Sequence, residues 1–319
     1  MGLLDRFFGN AGGNEPPSLP EAIEWAVDRV DSRLRNLGGY PDRYRKPVAN
    51  ALAYAQALAG KVPGPIPITT EAYASNPLVH ALFAVQDDLR AAMSASRAMQ
   101  SFQRDYPAAN EVYALLCMRR RTKKMFGMEL QGDILHRDVR QEAVFFTDYT
   151  IAEPGLTETE ARERIARGFF ESLIAHVLNR IEDRKLERGE LEQKRDELLA
   201  RMRTAPAGPH AQHEAELRRV LNRLGEVVAS LELGHYCKDF DAVLFQPDQH
   251  LYLERTEINL DSMGIVRSPD ASGSAEIDFC DLIGRDRRRW TVIMMYCDHV
   301  KDGASIADRL DSAERWLGL

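Results

Sequence analysis

The chain lacks the short glycine-bearing patterns of phosphate-handling enzymes. No Walker loop, GxGxxG, HExxH or GxSxG occurs among its 319 residues. Without a glycine loop there is no ready cradle for a nucleotide phosphate, which argues against an ATPase or a dehydrogenase. His136-Arg137-Asp138 matches the first letters of the kinase catalytic loop, but Ala143 stands where that motif needs Asn, so the match reads as chance. Cysteine is scarce: Cys117, Cys237, Cys280 and Cys297 do not make a disulfide framework in a chain this long and read as buried reduced thiols. No apolar run approaches the ~20 residues of a membrane span. A secretion pattern is missing at the amino terminus, and Arg6 stands where a myristoylation signal needs Ser or Thr. The expectation is a cytoplasmic protein. An excess of positive charge is missing too. A net charge of −7 and a pI near 5.7 argue against general binding to phosphate backbones.

What is present is helix-forming charge. Between Arg180 and Arg203, fifteen of twenty-four residues are Asp, Glu, Lys or Arg. A segment that polar has little to bury against a globular core, so it is expected to project and meet water or a partner. The capping-box sequence Thr157-Glu158-Thr159-Glu160 opens this region. Ile165, Phe169, Leu173, Val177 and Ile181 follow at four-residue steps and should be buried. Pro206-Ala207-Gly208-Pro209 marks a turn, and a returning helix carries Leu217, Leu224 and Leu231 seven apart, with Val220 and Val227 on the same step. That is a heptad seam of about two and a half repeats, shorter than a coiled coil usually needs. The reading is an antiparallel helical hairpin packed on itself or shared in a homodimer.

The remainder divides into three parts. Residues 1–17 form a flexible segment tipped by Leu3, Leu4, Phe7 and Phe8. Residues 18–156 form a helical domain, opened by a capping box at Ser18 and Glu21 and expected to contain helices near Arg45–Ala59, from Asn76 to about Arg104, and over Ala109–Lys124. Met125–Ala152 is expected to be a small β-hairpin inside it. Residues 157–234 are the helical hairpin. Residues 235–319 are expected to be a small antiparallel β module, with strands around Val243–Phe245, Leu251–Leu253, Ile258–Leu260, Ala275–Phe279 and Trp290–Tyr296, closed by a helix over Ala304–Trp316. The fold class is α+β.

Two candidate sites follow. His235 and Cys237 precede the first strand of the β module, Cys297 and His299 follow its last, and Cys280 lies between. On extended chain, residues two apart face one side, so each pair could present imidazole and thiolate to Zn²⁺. The spacing departs from familiar zinc motifs, and burial in an ordinary core is the simpler reading. The second site is cationic: Arg119, Arg120, Arg121, Lys123 and Lys124 occupy five of six positions, with Arg285, Arg287, Arg288 and Arg289 as a lesser cluster. At the end of the expected helix, cations would complement the helix dipole. They could also meet anionic lipid, RNA or an acidic protein. No aromatic side chain interrupts either run in the sequence.

The expected function is non-enzymatic: an accessory or regulatory protein that binds a protein partner, or itself, through the hairpin or the β module, with no cofactor. The alternatives are a metal- or redox-linked enzyme built on the Cys/His set, with Zn as its metal, and a peripheral membrane adaptor using the apolar amino-terminal tip and the Arg119–Lys124 patch.

Overall fold

A computed structural model describes residues 18–83, 96–131, 134–204, 210–271, 273–284 and 289–298. The expected amino-terminal tip, the Pro206–Pro209 turn, Arg285, Arg287, Arg288, His299 and the closing helix lie outside them. The fold is α+β. Among the described residues the helices are α1 (Leu19–Val30), α2 (Asp42–Gly60), α3 (Thr70–Ser75), α4 (Pro77–Leu82), α5 (Arg97–Asp105), α6 (Glu158–Thr204), α7 (His210–Ser230) and α8 (Leu233–Phe245). The strands are β1 (Ile66–Pro67), β2 (Glu111–Gln131), β3 (Ile134–Gly155), β4 (Tyr252–Asp261), β5 (Ser274–Ile283) and β6 (Arg289–Asp298). No described helix is long and apolar enough to cross a membrane. The chain divides into two compact units, one holding residues 55–169 and 251–319, the other residues 17–54 and 170–250.

The first unit is built on one sheet, ordered β3-β2-β6-β5-β4 and antiparallel throughout, with β1 added parallel to β6. The hairpin of β2 and β3 and the carboxy-terminal strands therefore share a sheet. β2 pairs with β6 from Glu111 to Met118, and β4 pairs with β5 along its whole length. One face carries Val112, Ala114, Leu116, Met118, Phe279, Ile293 and Met295 against apolar residues of α3, α4 and α5. Leu115 and Cys117, on the opposite face of β2, are buried as well. β1 lies close on β6: Met294 N–H donates to Pro63 O at 2.7 Å and Ile68 N–H to Tyr296 O at 2.8 Å. Gly64, at φ +118°, permits that approach; a Cβ there would sit 2.2 Å from Met294 O.

Three local expectations fail here. The helix expected from Asn76 to about Arg104 is broken: α4 ends at Leu82 with Phe83 extended, and α5 starts only at Arg97 after an extended Ser96. Ala109–Lys124 is not helical: Glu111 to Gln131 is strand. Val112 to Met118 is buried on both faces, so it lacks the alternation that marks a half-exposed strand, and its Ala, Leu, Met, Lys and Arg residues favour helix locally. Pairing with β6 and β3 overrides that preference. The hairpin expected over Met125–Ala152 is accordingly longer, Glu111 to Gly155. The expected strand at Val243–Phe245 is helix α8, whose buried Tyr236, Cys237, Phe240, Val243 and Leu244 repeat at helical spacing while Phe245 is exposed. Leu251–Leu253 and Ile258–Leu260 belong together, with Leu253 to Leu260 inside the single strand β4.

The second unit is helical. α1 buries Ala22, Ile23, Ala26, Val27 and Val30, a stripe at three- and four-residue steps. Tyr44 of α2 is fully buried, edge-on to Phe240, with its hydroxyl 3.2 Å from the Cys237 thiol. α6 runs for 47 residues, starting where Thr157 Oγ1 accepts from Glu160 N–H at 3.2 Å. Phe170, Leu173, Ile174, Val177 and Ile181 are buried. Beyond Ile181 the helix is mostly exposed and α7 runs back along it, giving the expected charged antiparallel hairpin.

Candidate functional site: two interaction surfaces

The helical hairpin is joined by polar links that set its register. Arg223 Nε meets Glu187 at 2.7 Å and Lys194 Nζ meets Glu216 at 2.8 Å. At its base Arg184 donates to Ser230 O at 3.0 Å and pairs with Asp239, which Arg180 also approaches at 3.3 Å. The outer pairs are exposed, each contributing ~0–1 kcal/mol, so packing must hold the two helices. The interior positions are Val220 and Val227, 5% and 2% exposed, with Leu217, Leu224 and Leu231 half-buried beside them. Leu221 and Val228, one position further round α7, remain 47% and 46% exposed, and Leu186 of α6 is 66% exposed. Gly189 and Gly225 sit mid-helix in the same stretch with nothing within 4 Å of a Cβ. An open trough of about 340 Å³ lies along the hairpin, lined by charged side chains around the Lys194–Glu216 pair.

The second surface is the β2–β3 ribbon. β6 stops pairing with β2 at Met118, while β2 and β3 continue as a two-stranded ribbon to Gln131 and Ile134. The register shifts three times, and each shift places one extra residue on β3 at a positive φ: Glu153 at 53°, Asp148 at 57° and Asp138 at 60°. Such bulges add local twist and re-aim the following side chains. The 264–266 turn braces the middle of β3: Val144 N–H donates to Gly264 O and Val266 N–H to Glu142 O, both at 2.8 Å. Past that brace Gln141 is buried over Gly127 and donates to Met128 O at 3.1 Å.

The five cations of β2 divide by face. Arg120 is structural. Its Nη2 lies 2.6 Å from the carboxylate of Asp281, which is 1% exposed and accepts from Thr291 Oγ1 at 2.7 Å. The same guanidinium lies over Phe279 at 5.3 Å. Arg119, on the other face, stacks over Trp290 at 5.2 Å. Arg121 reaches Asp148 only at 3.7 Å, with both partners about half exposed. Lys123 and Lys124 are exposed and have no ion-pair partner among the described residues. The basic run sits on strand, so the helix-dipole explanation does not apply to it. Register supplies what the linear sequence withheld: Phe145 lies opposite Arg121, Arg140 opposite Phe126, and Gln141 opposite Met125. Phe126 and Met128 are 66% and 60% exposed, Met125 and Phe145 40% each. His136, Arg137 and Asp138 are exposed on this ribbon. Arg289, the described member of the second basic cluster, pairs with Glu254 at 2.9 Å.

The Cys/His residues are placed separately. His235 and Cys237 lie on α8, not on extended chain, so a two-residue step turns them about 200° apart. Cys237 is buried against Tyr44. Cys297 packs with the Phe279 face of the sheet, and Cys280, one residue on from Phe279, points to the other face. Burial pushes the Cys280 and Cys297 thiols up to about 11 each, and burial drives Cys117 higher still. No group of three or more His, Cys, Asp or Glu is arranged to hold a metal among the described residues. The sequence places Phe126 and Met128 on the expected hairpin, but their exposure beside the cations emerges only from burial and strand register. No protein-family model matches the chain, and no curated protein or solved structure matches it either.

Proposed function

We propose that this chain is a non-enzymatic binding protein that engages another protein along the outer face of its helical hairpin, a second copy of itself being that partner. The observation that carries the reading is the pair Leu221 and Val228. They repeat the heptad step of the buried Val220 and Val227, yet face solvent at 47% and 46% exposure, with Leu186 also exposed. Apolar side chains on a heptad step outside an already packed seam suit a further helix pair, as in a four-helix arrangement. Charge supports a copy of the same hairpin: eleven Lys and Arg stand against ten Asp and Glu between Arg180 and Ser230. Two near-neutral hairpins of this kind carry little net repulsion toward each other, which suits a two-fold interface.

The test is sedimentation of the parent against the double variant Leu221→Lys/Val228→Lys. Both positions are exposed, so helicity by circular dichroism should be unchanged. The parent should sediment as a dimer and the variant as a monomer. A parent that stays monomeric up to ~100 µM, where a micromolar interface would be largely occupied, refutes the reading.

A further inference from the structure

We infer that the β2–β3 ribbon binds single-stranded nucleic acid, with its phosphates on Arg121, Lys123, Lys124, Arg137 and Arg140 and its bases against Phe126 and Phe145. The inference is independent of the hairpin. From Arg119 to Met128 the strand holds five cations and no acid. The cations beyond Arg120 are exposed or only loosely paired. Edge strands often carry Lys and Arg to prevent pairing with other chains, which would account for the charges alone. It does not account for phenylalanines left 66% and 40% exposed beside them. Cross-strand register pairs Phe145 with Arg121 on one face and Arg140 with Phe126 on the other, so each face of the ribbon sets a cation beside an aromatic ring. Backbone-tracking cations with interleaved aromatic faces are what a strand with unstacked bases requires.

The same residues fit a bilayer poorly. Asp138 and Glu142 are exposed on the ribbon, Glu142 directly opposite Lys124, so insertion would carry carboxylates into the hydrocarbon with the apolar residues. The exposed apolar side chains also stand on both faces of the ribbon, Met125 and Phe145 on one and Phe126 and Met128 on the other, and form no single apolar face. The overall charge of −7 confines attraction to this patch, so the site is small and strongly salt-dependent.

The experiment is fluorescence anisotropy of the full chain with labelled thirty-nucleotide deoxythymidine and uridine strands and a duplex of equal length, from 50 to 200 mM salt, beside flotation with phosphatidylserine vesicles. Five phosphate contacts predict a slope of log affinity against log salt of about −3.5. Deoxy and ribo strands should both bind, and more tightly than duplex; their ratio identifies the natural source. Lys123→Glu/Lys124→Glu should weaken binding at least tenfold and flatten the slope. Phe126→Ala should weaken it roughly tenfold at unchanged slope. All three substituted side chains are exposed, and retention of the parent circular dichroism and melting temperature checks the fold. Three results overturn the inference: no anisotropy change at tens of micromolar protein in 50 mM salt, equal binding by the charge-reversed variant, or capture by vesicles without oligonucleotide binding.

Discussion

Removing the Asp281 carboxylate should weaken the sheet where the ribbon is rooted. Asp281 is 1% exposed, holds Arg120 Nη2 at 2.6 Å and accepts the Thr291 hydroxyl at 2.7 Å. Arg120 is 15% exposed and its Nη1 has no hydrogen-bond partner, so this carboxylate is its main compensation. Arg289 reaches the same oxygen at 3.8 Å. In Asp281→Ala two guanidinium groups face each other across the vacated position and a buried hydroxyl loses its acceptor. Breaking a buried pair from one side costs about 3–5 kcal/mol. The partial exposure of Arg120 points to the lower end, and the lost hydroxyl bond adds about 1 kcal/mol. A loss of about 3–4 kcal/mol is expected, which at a urea m-value near 2 kcal/mol/M lowers the midpoint by roughly 1.5–2 M. Because the chain has two units, hydrogen exchange should be followed alongside, and protection should fall in β2, β5 and β6 first. Arg120→Met alone should also destabilise, but Arg120→Met/Asp281→Leu should cost less than the sum of the single changes, since it removes both buried charges. A loss below about 1 kcal/mol in Asp281→Ala, or strict additivity in the double variant, would refute the argument.

Other expectations concern separate regions. Gly64→Ala should destabilise by about 1–3 kcal/mol in denaturant titration, because its Cβ would meet Met294 O at 2.2 Å and φ is +118°. Gly189→Ala, in open mid-helix, should instead stabilise by about 0.5–1 kcal/mol, and a loss of stability would show that α6 is not continuous there. The His250 ring lies tilted against His176 with centroids 4.5 Å apart, and burial and then the Arg180 charge hold its pKa below the ordinary value of 6.5. The unfolded chain therefore takes up this proton first as pH falls. The associated stability is fully present above about pH 6.5 and is lost on acidification toward the folded pKa. His250→Gln should accordingly flatten the fall in melting temperature between pH 7 and pH 5; an identical fall in parent and variant would contradict this. With Cys280 and Cys297 held up to about 11 and Cys117 pushed higher, these thiols should react slowly with a disulfide reagent at pH 8 until denaturant is added. Prompt modification of three equivalents in native protein would show that they are not enclosed.

The helical hairpin was legible from the chain alone because its information is local. Capping at Thr157, four-residue apolar steps to Ile181 and the Val220–Val227 heptad all act within a few residues along one helix. The outer part of the ribbon was legible as the hairpin over Met125–Ala152, but its base was not, because residues 112–118 are buried on both faces and carry no period, and only β6 and β3, distant in sequence, make them strand. For the same reason the basic run was placed on a helix end, and α8 was read as strand from Val243 and Phe245 without the buried Tyr236, Cys237 and Phe240 that complete its turn. The sequence by itself determined the α+β class, the charged antiparallel hairpin and the antiparallel carboxy-terminal strands. Tertiary structure alone decided that Arg120 is bound to Asp281 while Lys123 and Lys124 are exposed with no ion pair among the described residues, and that Phe145 stands opposite Arg121. Those outcomes depend on strand register, which brings Arg120 to Asp281, 161 positions away, and which no local preference encodes.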